Sequence, residues 1–250
     1  VVYTPNNNHV IRVSFSSAVR NPTLTDQYLF YQVGRATLLG NINGYTNLLT
    51  PESVTEFYDS SKSSFKFLNF FNVDPVRPEK VKTIEAGYRA TLFNRLYVDL
   101  NGYYSWYHDF IGYQIGVDAD TFSINTFGGT IYDLVFNRVV RVASNAQSEV
   151  TTQGVSVGLN YYIGKYFAFT GNYSWNKLNK KGTDDPLIPA FNTPENKYNI
   201  GFNGRDIKGV GFNINYKWVQ GFKYEGSPQF TGEIPSYDMV DAQVNYHLKD

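Results

Sequence analysis

The sequence predicts an all-β chain: a run of antiparallel strands forming part of the wall of a transmembrane β-barrel. Three observations carry this. The first is composition. Phe, Trp and Tyr make up 17% of 250 residues, with 21 Tyr and 19 Phe, while apolar residues reach only 42% and mean hydropathy is −0.35. A chain rich in aromatics yet polar on average sorts its residues by face, as membrane barrels do with an apolar exterior, a polar interior and aromatic girdles. The second is period-two alternation over segments near the roughly 9–11 residues of a tilted membrane strand, longer than the five or six common in soluble sheets. The third is a strict alternation of short turns with long connections.

Eight strands follow from the alternation. The first, about His9 to Ser17, sets Ile11, Val13 and Phe15 against Arg12, Ser14 and Ser16. The second, about Val81 to Leu92, sets Ile84, Ala86 and Tyr88 against Thr83, Glu85 and Arg89. The third runs from Leu96 to Asp109, with Leu96, Val98 and Leu100 opposing Tyr97, Asp99 and Asn101. Four further strands cover Thr151 to Ile163, Phe167 to Lys177, Lys197 to Arg205 and Val210 to Trp218. The eighth runs from Met239 to Leu248. The polar faces carry Arg, Glu, Asp, Asn and Gly, which suits a wet lumen. The apolar faces often end in amphipathic rings, as at Trp106, Trp175, Trp218 and Tyr246, the residues that settle at a membrane interface.

Phe93-Asn94-Arg95, Gly164-Lys165-Tyr166 and Asp206-Ile207-Lys208-Gly209 read as short turns. The stretches from about Val19 to Lys80, Phe110 to Val150, Leu178 to Asn196 and Val219 to Asp238 read as long loops. Barrels of the outer membrane place short turns in the periplasm and long loops outside. Within the second loop, Val139 to Asn145 has the pattern of an extra hairpin arm. The start, Val1-Val2-Tyr3-Thr4-Pro5, lacks the charged and apolar regions of a signal peptide.

Several classes of function are disfavoured. Formal net charge is +0, without the basic excess of a nucleic-acid binder. Cysteine is absent, which removes disulfides, thiolate metal sites and a cysteine nucleophile. His9, His108 and His247 fall on separate strands without metal-ligand spacing. Asp118-Ala119-Asp120 lacks the rest of a calcium loop, and Asp184-Asp185 before Pro186 reads as a turn. Gly128-Gly129 is too short for a phosphate loop, and no nucleophile elbow or paired-carboxylate signature is present. The expectation is no enzyme, no metal and no cofactor.

Four stretches, in order, resemble the C-terminal half of a TonB-dependent outer-membrane receptor. They are Arg12 to Leu24, with Arg20-Asn21-Pro22 opening a loop; Pro75-Val76-Arg77-Pro78-Glu79-Lys80 followed by Glu85-Ala86-Gly87-Tyr88-Arg89; Tyr103 to Ile111; and Ile234 to Asp241. The loop from Thr25 to Asn41 is most similar to Bacteroidetes-type members. The resemblance implies that residues 1–250 are part of a roughly 22-stranded plugged barrel. The plug and about two last strands lie outside these residues, and the chain start and end both fall at the periplasmic side. It also implies active uptake of a scarce solute across the outer membrane, with the lipid bilayer, a plug domain, an inner-membrane energy-coupling protein and an outer-membrane lipoprotein or complex subunit as partners.

Two other readings stand beside transport: a barrel subunit of an outer-membrane complex, and a small self-contained barrel adhesin. Candidate ligand contacts at the outer mouth are Arg20, Tyr28, Phe30, Tyr31 and Arg35, since loops on rigid scaffolds carry binding; self-packing of a long loop is the competing expectation. Glu85, Arg89, Asp99 and Arg205 are expected to face the lumen, where they meet plug or solute, or pair with one another.

Overall fold

A computed structural model describes residues 1–59, 65–182, 185–226 and 230–247. The first hairpin joins β1 (Val2–Asn6) to β2 (His9–Arg20). An excursion follows, with α1 (Leu24–Tyr28), β3 (Phe30–Val33), β4 (Ala36–Leu39), β5 (Tyr45–Leu49), α2 (Pro51–Asp59), a 3-10 turn at Phe65–Phe67 and β6 (Phe70–Val73). Next come β7 (Glu79–Leu92), β8 (Leu96–His108), β9 (Ile111–Thr126), β10 (Gly129–Asn145), β11 (Val150–Ile163) and β12 (Phe167–Lys180). The remainder is β13 (Asn196–Ile207), β14 (Val210–Val219), β15 (Phe222–Glu225), β16 (Thr231–Ile234) and β17 (Tyr237–Tyr246). Among the described residues no helix is long and apolar enough to cross a membrane.

The wall is one antiparallel sheet of nine strands in the order β1-β2-β7-β8-β11-β12-β13-β14-β17. Each wall strand hydrogen-bonds to the next wall strand along the chain, as hairpins dictate. The registers keep the two faces apart. One row runs Ile11–Tyr88–Leu100–Val157–Tyr173–Tyr198–Trp218, and the next polar row runs Arg89–Asp99–Gly158–Asn172–Asn199–Lys217. A one-residue slip at any pair would swap the faces, so the rows fix the register. Rings stack along the apolar side, with Phe169 and Phe202 at 4.6 Å and Tyr198 and Trp218 at 5.4 Å between centroids.

Eight of the nine strands match the alternation in the sequence, with ends moved by a few residues. The ninth, β1, is a correction. Its short edge segment contains Pro5, tolerated there because an edge strand leaves one side unpaired. The Val1 ammonium donates to Val13 O at 2.7 Å, so the chain begins partway up the wall, where a start at the short-turn end was expected. β17 begins at Tyr237, and Leu248, the expected end of the eighth strand, lies outside the described residues. β1 and β17 do not pair with each other; the sheet is open at both edges.

The long connections are not loose loops. A second, six-stranded sheet in the order β3-β4-β10-β9-β5-β6 is assembled from the first two of them. The expected arm at Val139 to Asn145 is the end of β10, paired with β9 from Gly129↔Thr126 to Asn145↔Ile111. Unexpectedly, β4 adds to β10 in parallel, Ala36 against Val139. Two apolar clusters support this sheet: Leu39, Leu48, Val73, Val140 and Val142, and Leu49, Phe57, Leu68, Val117 and Leu134. β15 and β16 form a small separate ribbon.

Candidate functional site

The second sheet stands at the long-loop end of the wall, and three polar fastenings hold it there. The deepest is Asn41, fully buried. Its Nδ2 donates to Asp74 O at 2.7 Å and Ala143 O at 2.9 Å, and its Oδ1 accepts from Gly44 N at 2.8 Å. Its backbone N donates to Asp26 O, and its carbonyl accepts from Val76 N. The side chain therefore ties the β6–β7 connection to β10, and the backbone of the same residue adds the α1 segment. Gly40 precedes it because an added Cβ would lie 2.4 Å from Tyr28 N.

The second fastening is a corner where β8 passes into β9. Asp109 takes a positive φ of 55°, and Asn145 Nδ2 donates to its carbonyl at 2.6 Å. Arg77 closes the corner. Its backbone N donates to Asn145 Oδ1 at 2.7 Å, and its guanidinium pairs with Asp109 at 2.8 Å. Nearby, Glu79 is only 5% exposed. It accepts from Ile111 N at 2.9 Å and pairs with Arg20 at 3.2 Å.

The third holds the segment after β12. Asp185, 7% exposed, accepts through Oδ2 from Gln147 N, Ser148 N and Ser148 Oγ, each at 2.9 Å, and through Oδ1 from Leu187 N at 3.0 Å. The Lys180 ammonium donates to Asp185 O and Leu187 O. Burial alone would raise the Asp185 carboxyl, but the four donors outweigh it and hold the group below its ordinary value. The sequence signal, Asp-Asp-Pro, reads as a turn; Asp184 lies outside the described residues.

The proposed ligand contacts separate into two groups. Tyr28, Phe30 and Tyr31 are exposed, and so is Arg35 in the β3–β4 turn. Tyr28 and Phe30 line an open cleft of about 350 Å³ with Gln27, Ile42, Asn43 and Tyr45. Arg138, which pairs with Asp118 at 3.1 Å, lies over the Phe30 ring at 5.8 Å. Arg20 belongs to the corner instead, paired with Glu79. Sequence reasoning had no handle on Arg138, Glu79 or Asn41, because each gains its role from partners far along the chain.

On the polar face of the wall, Asp99 accepts through Oδ2 from Arg89 Nη2 at 2.9 Å and through Oδ1 from Asn101 Nδ2 at 2.9 Å; Arg12 also approaches Oδ1, at 3.6 Å. Glu85 accepts from Ser14 Oγ at 3.2 Å. Arg12, Glu85, Asn101 and Tyr103 line a cavity of about 540 Å³. Arg205 lies apart, toward the short turns, in a cavity of about 630 Å³ with Asn160, Asn203 and Asn245. It has no ion pair among the described residues. Arg89 and Asp99 are thus mutually paired, one of the two expected alternatives. Replacing Asp99 by Asn is expected to leave urea unfolding nearly unchanged, because half-exposed ion pairs contribute little. A large loss of stability would show that the network holds the wall.

Among the described residues no group of three or more His, Asp or Glu side chains is placed to hold a metal ion. The arrangement offers a folded platform at the long-loop end and a charged polar face along the wall.

A family model described as TonB dependent receptor-like, beta-barrel matches residues 1–250. No curated protein sequence matches. Among solved structures, the chain is similar to the siderophore receptor PirA from Acinetobacter baumannii, at 14% identity and TM-score 0.60, covering 100% of this chain and 34% of that one. It is similar to the copper transporter OprC at 12% identity and TM-score 0.59, covering 99% and 30%. It is also similar to the FrpB iron transporter from Neisseria meningitidis (F3-3 variant) at 13% and 0.57, covering 98% and 31%. Identities this low speak for the fold alone, and the chain spans about a third of the length of these structures.

Proposed function

The chain belongs to the TonB-dependent receptor-like β-barrel family and lies in the outer membrane, and from that premise we propose that it is part of an active-transport receptor for a scarce solute. The family consists of uptake receptors rather than enzymes. The observation that supports this reading most is the pairing of a face-sorted wall with a folded platform at its long-loop end. A wall alone would serve an anchor; a platform with an open aromatic cleft serves capture. In this reading Tyr28, Phe30, Tyr31 and Arg35 meet the solute first, and Glu85, Arg89, Asp99 and Arg205 face the lumen. A plug domain closes the barrel, and an inner-membrane coupling protein supplies the energy. The Bacteroidetes-type likeness of the Thr25 to Asn41 loop and a lipoprotein partner belong to the same proposal.

The open edges favour further strands in the intact barrel, because unpaired backbone is not viable in lipid. They count against a small self-contained barrel closed by β1 and β17. The discriminating experiment compares cells with and without the intact gene on defined solute mixtures, with and without a protonophore. Accumulation that needs both the gene and the proton gradient is expected. Binding without energy-dependent accumulation would favour the reading as a non-transporting complex subunit. In transporting cells, Phe30→Ala with Tyr31→Ala is expected to lower uptake at limiting solute about tenfold, in line with losing exposed aromatic anchors; unchanged uptake would remove the cleft from the proposal.

A further inference from the structure

The open cleft beside β3 is lined without a charged side chain among the described residues. Its polar lining is Gln27, Asn43 and the Tyr28 and Tyr45 hydroxyls; its apolar lining is led by Phe30 and Ile42. Tyr28 is 60% exposed and Phe30 67%, so both rings are open to whatever enters. Gln27 gives its Nε2 to Pro22 O at 2.7 Å, which leaves Oε1 to accept. Among the described residues the Asn43 amide and the Tyr28 hydroxyl have no hydrogen-bond partner, so each can donate and accept. The walls are tied to one another through Gly40, whose N donates to Leu29 O at 2.7 Å and whose O accepts from Tyr45 Oη at 3.0 Å. The cleft is thus shaped before a solute arrives. Five cations at this end are matched to carboxylates outside the cleft. Arg138, which leans over Phe30, pairs with Asp118; the others are Arg20 with Glu79, Arg77 with Asp109, Lys181 with Glu149 and Lys223 with Glu225. Arg35 stands in the β3–β4 turn and Arg141 lies over the Tyr113 ring at 3.8 Å; neither lines the cleft.

An anionic solute, a ferric chelate among them, needs unpaired cations where it is held, because a charge taken out of water without a partner is costly. A wholly apolar solute would strip water from Asn43, Gln27 and Tyr28 and return no hydrogen bond. An uncharged ring with hydroxyls on its rim meets neither cost. Its C–H face lies on the Tyr28 and Phe30 rings, while its hydroxyls, which donate and accept, pair with the Asn43 amide, Gln27 Oε1 and the Tyr28 hydroxyl. We propose that the cleft takes such a solute, a neutral sugar unit at one end of an oligosaccharide. The volume of about 350 Å³ is at the lower end of the roughly 300–1,000 Å³ of small-molecule sites, which suits the end of a chain rather than its whole length. This assignment rests on the reading of the chain as part of a solute receptor, and it names the chemical class of the solute.

The test titrates the intact receptor, in a sugar-free detergent, with the neutral trisaccharides maltotriose, cellotriose, xylotriose and mannotriose. Sialyllactose serves as a charged sugar of the same size and ferric citrate as an anionic chelate, and bound ligand is read by equilibrium dialysis. Saturable binding of at least one neutral trisaccharide is expected, unchanged between low and high salt because no charge pair is involved. Sialyllactose and ferric citrate should bind roughly tenfold or more weakly. Asn43→Ala should weaken neutral binding about fivefold, the worth of one neutral hydrogen bond, and Phe30→Ala about tenfold; Lys165→Gln in a short turn should leave it unchanged. Failure of all four neutral sugars to bind, tighter binding of ferric citrate or sialyllactose, loss of sugar binding at high salt, or full binding in the Phe30→Ala variant would each overturn the proposal. Sugar binding without gradient-dependent accumulation would uphold the cleft's ligand and sink the transport reading; accumulation of a charged solute without sugar binding would do the reverse.

Discussion

Replacing Asn41 by aspartate is expected to unfasten the second sheet while leaving the wall assembled. The amide donates to two carbonyls, Asp74 O and Ala143 O, and accepts from Gly44 N. A carboxylate can keep only the last of these. It turns an acceptor toward two buried carbonyls and strands a charge where Asn41 has no exposure. The cost is on the order of 3–5 kcal/mol, the sum of two orphaned acceptors and an unpaired buried charge. Because the wall has its own hydrogen-bond ladder, the loss should be local. Hydrogen exchange would show it as lost protection in β4, β5 and β10 with β11 and β12 unchanged. Acid should partly reverse the defect, since a protonated carboxyl regains one donor. If β4 and β10 stay protected at neutral pH, Asn41 is not the fastening described.

Asp185 should behave in the opposite sense with pH. Its carboxylate accepts four hydrogen bonds, three from backbone amides, so Asp185→Ala leaves three amides without that partner, at a cost of roughly 3 kcal/mol. Its folded-state pKa is depressed. The stabilisation is therefore present above the ordinary carboxyl value and is lost as pH falls from there through the lowered one. Exchange protection at Gln147, Ser148 and Leu187, corrected for intrinsic rates, should fall as the pH is taken down through that range. In Asp185→Asn it should be weaker at neutral pH and flat with acidification. A parent protein whose protection at these amides ignores acid would contradict the assignment.

What could be read in the sequence was the wall. Its strands are long, and their alternation is enforced on both sides, so residues such as Ile84, Ala86 and Tyr88 announce a face without knowledge of their neighbours. The second sheet could not be read this way. β3 and β4 have four residues each, too few for a period to show. β4 is also buried at Ala36, Thr37 and Leu39, so it does not alternate. Asn41 sits in Gly-Asn-Ile-Asn-Gly, where an asparagine reads as a turn residue; its partners lie at positions 74 and 143. Arg20 shows the same limit from the other side. It stands at the mouth of a loop like a ligand contact, but buried Glu79, which occupies it, becomes its neighbour only through the β2–β7 register.

The parallel pair of β4 with β10 also sets an order in time. Wall hairpins can close as soon as each successive strand exists. β4, however, waits for Val139 to Val142, about a hundred residues later in the chain, and β5 reaches β9 through Leu49↔Val117. Contacts between such distant segments come late in folding. Within the first long excursion β3 can pair β4 and β5 can pair β6, but the β4 and β5 edges that meet β10 and β9 must wait while β7 and β8 are laid down, and the excursion becomes a platform only when the β9–β10 hairpin arrives. The platform is thus a late joint between two distant excursions, closed only once β10 exists, however early its own strands stand in the chain.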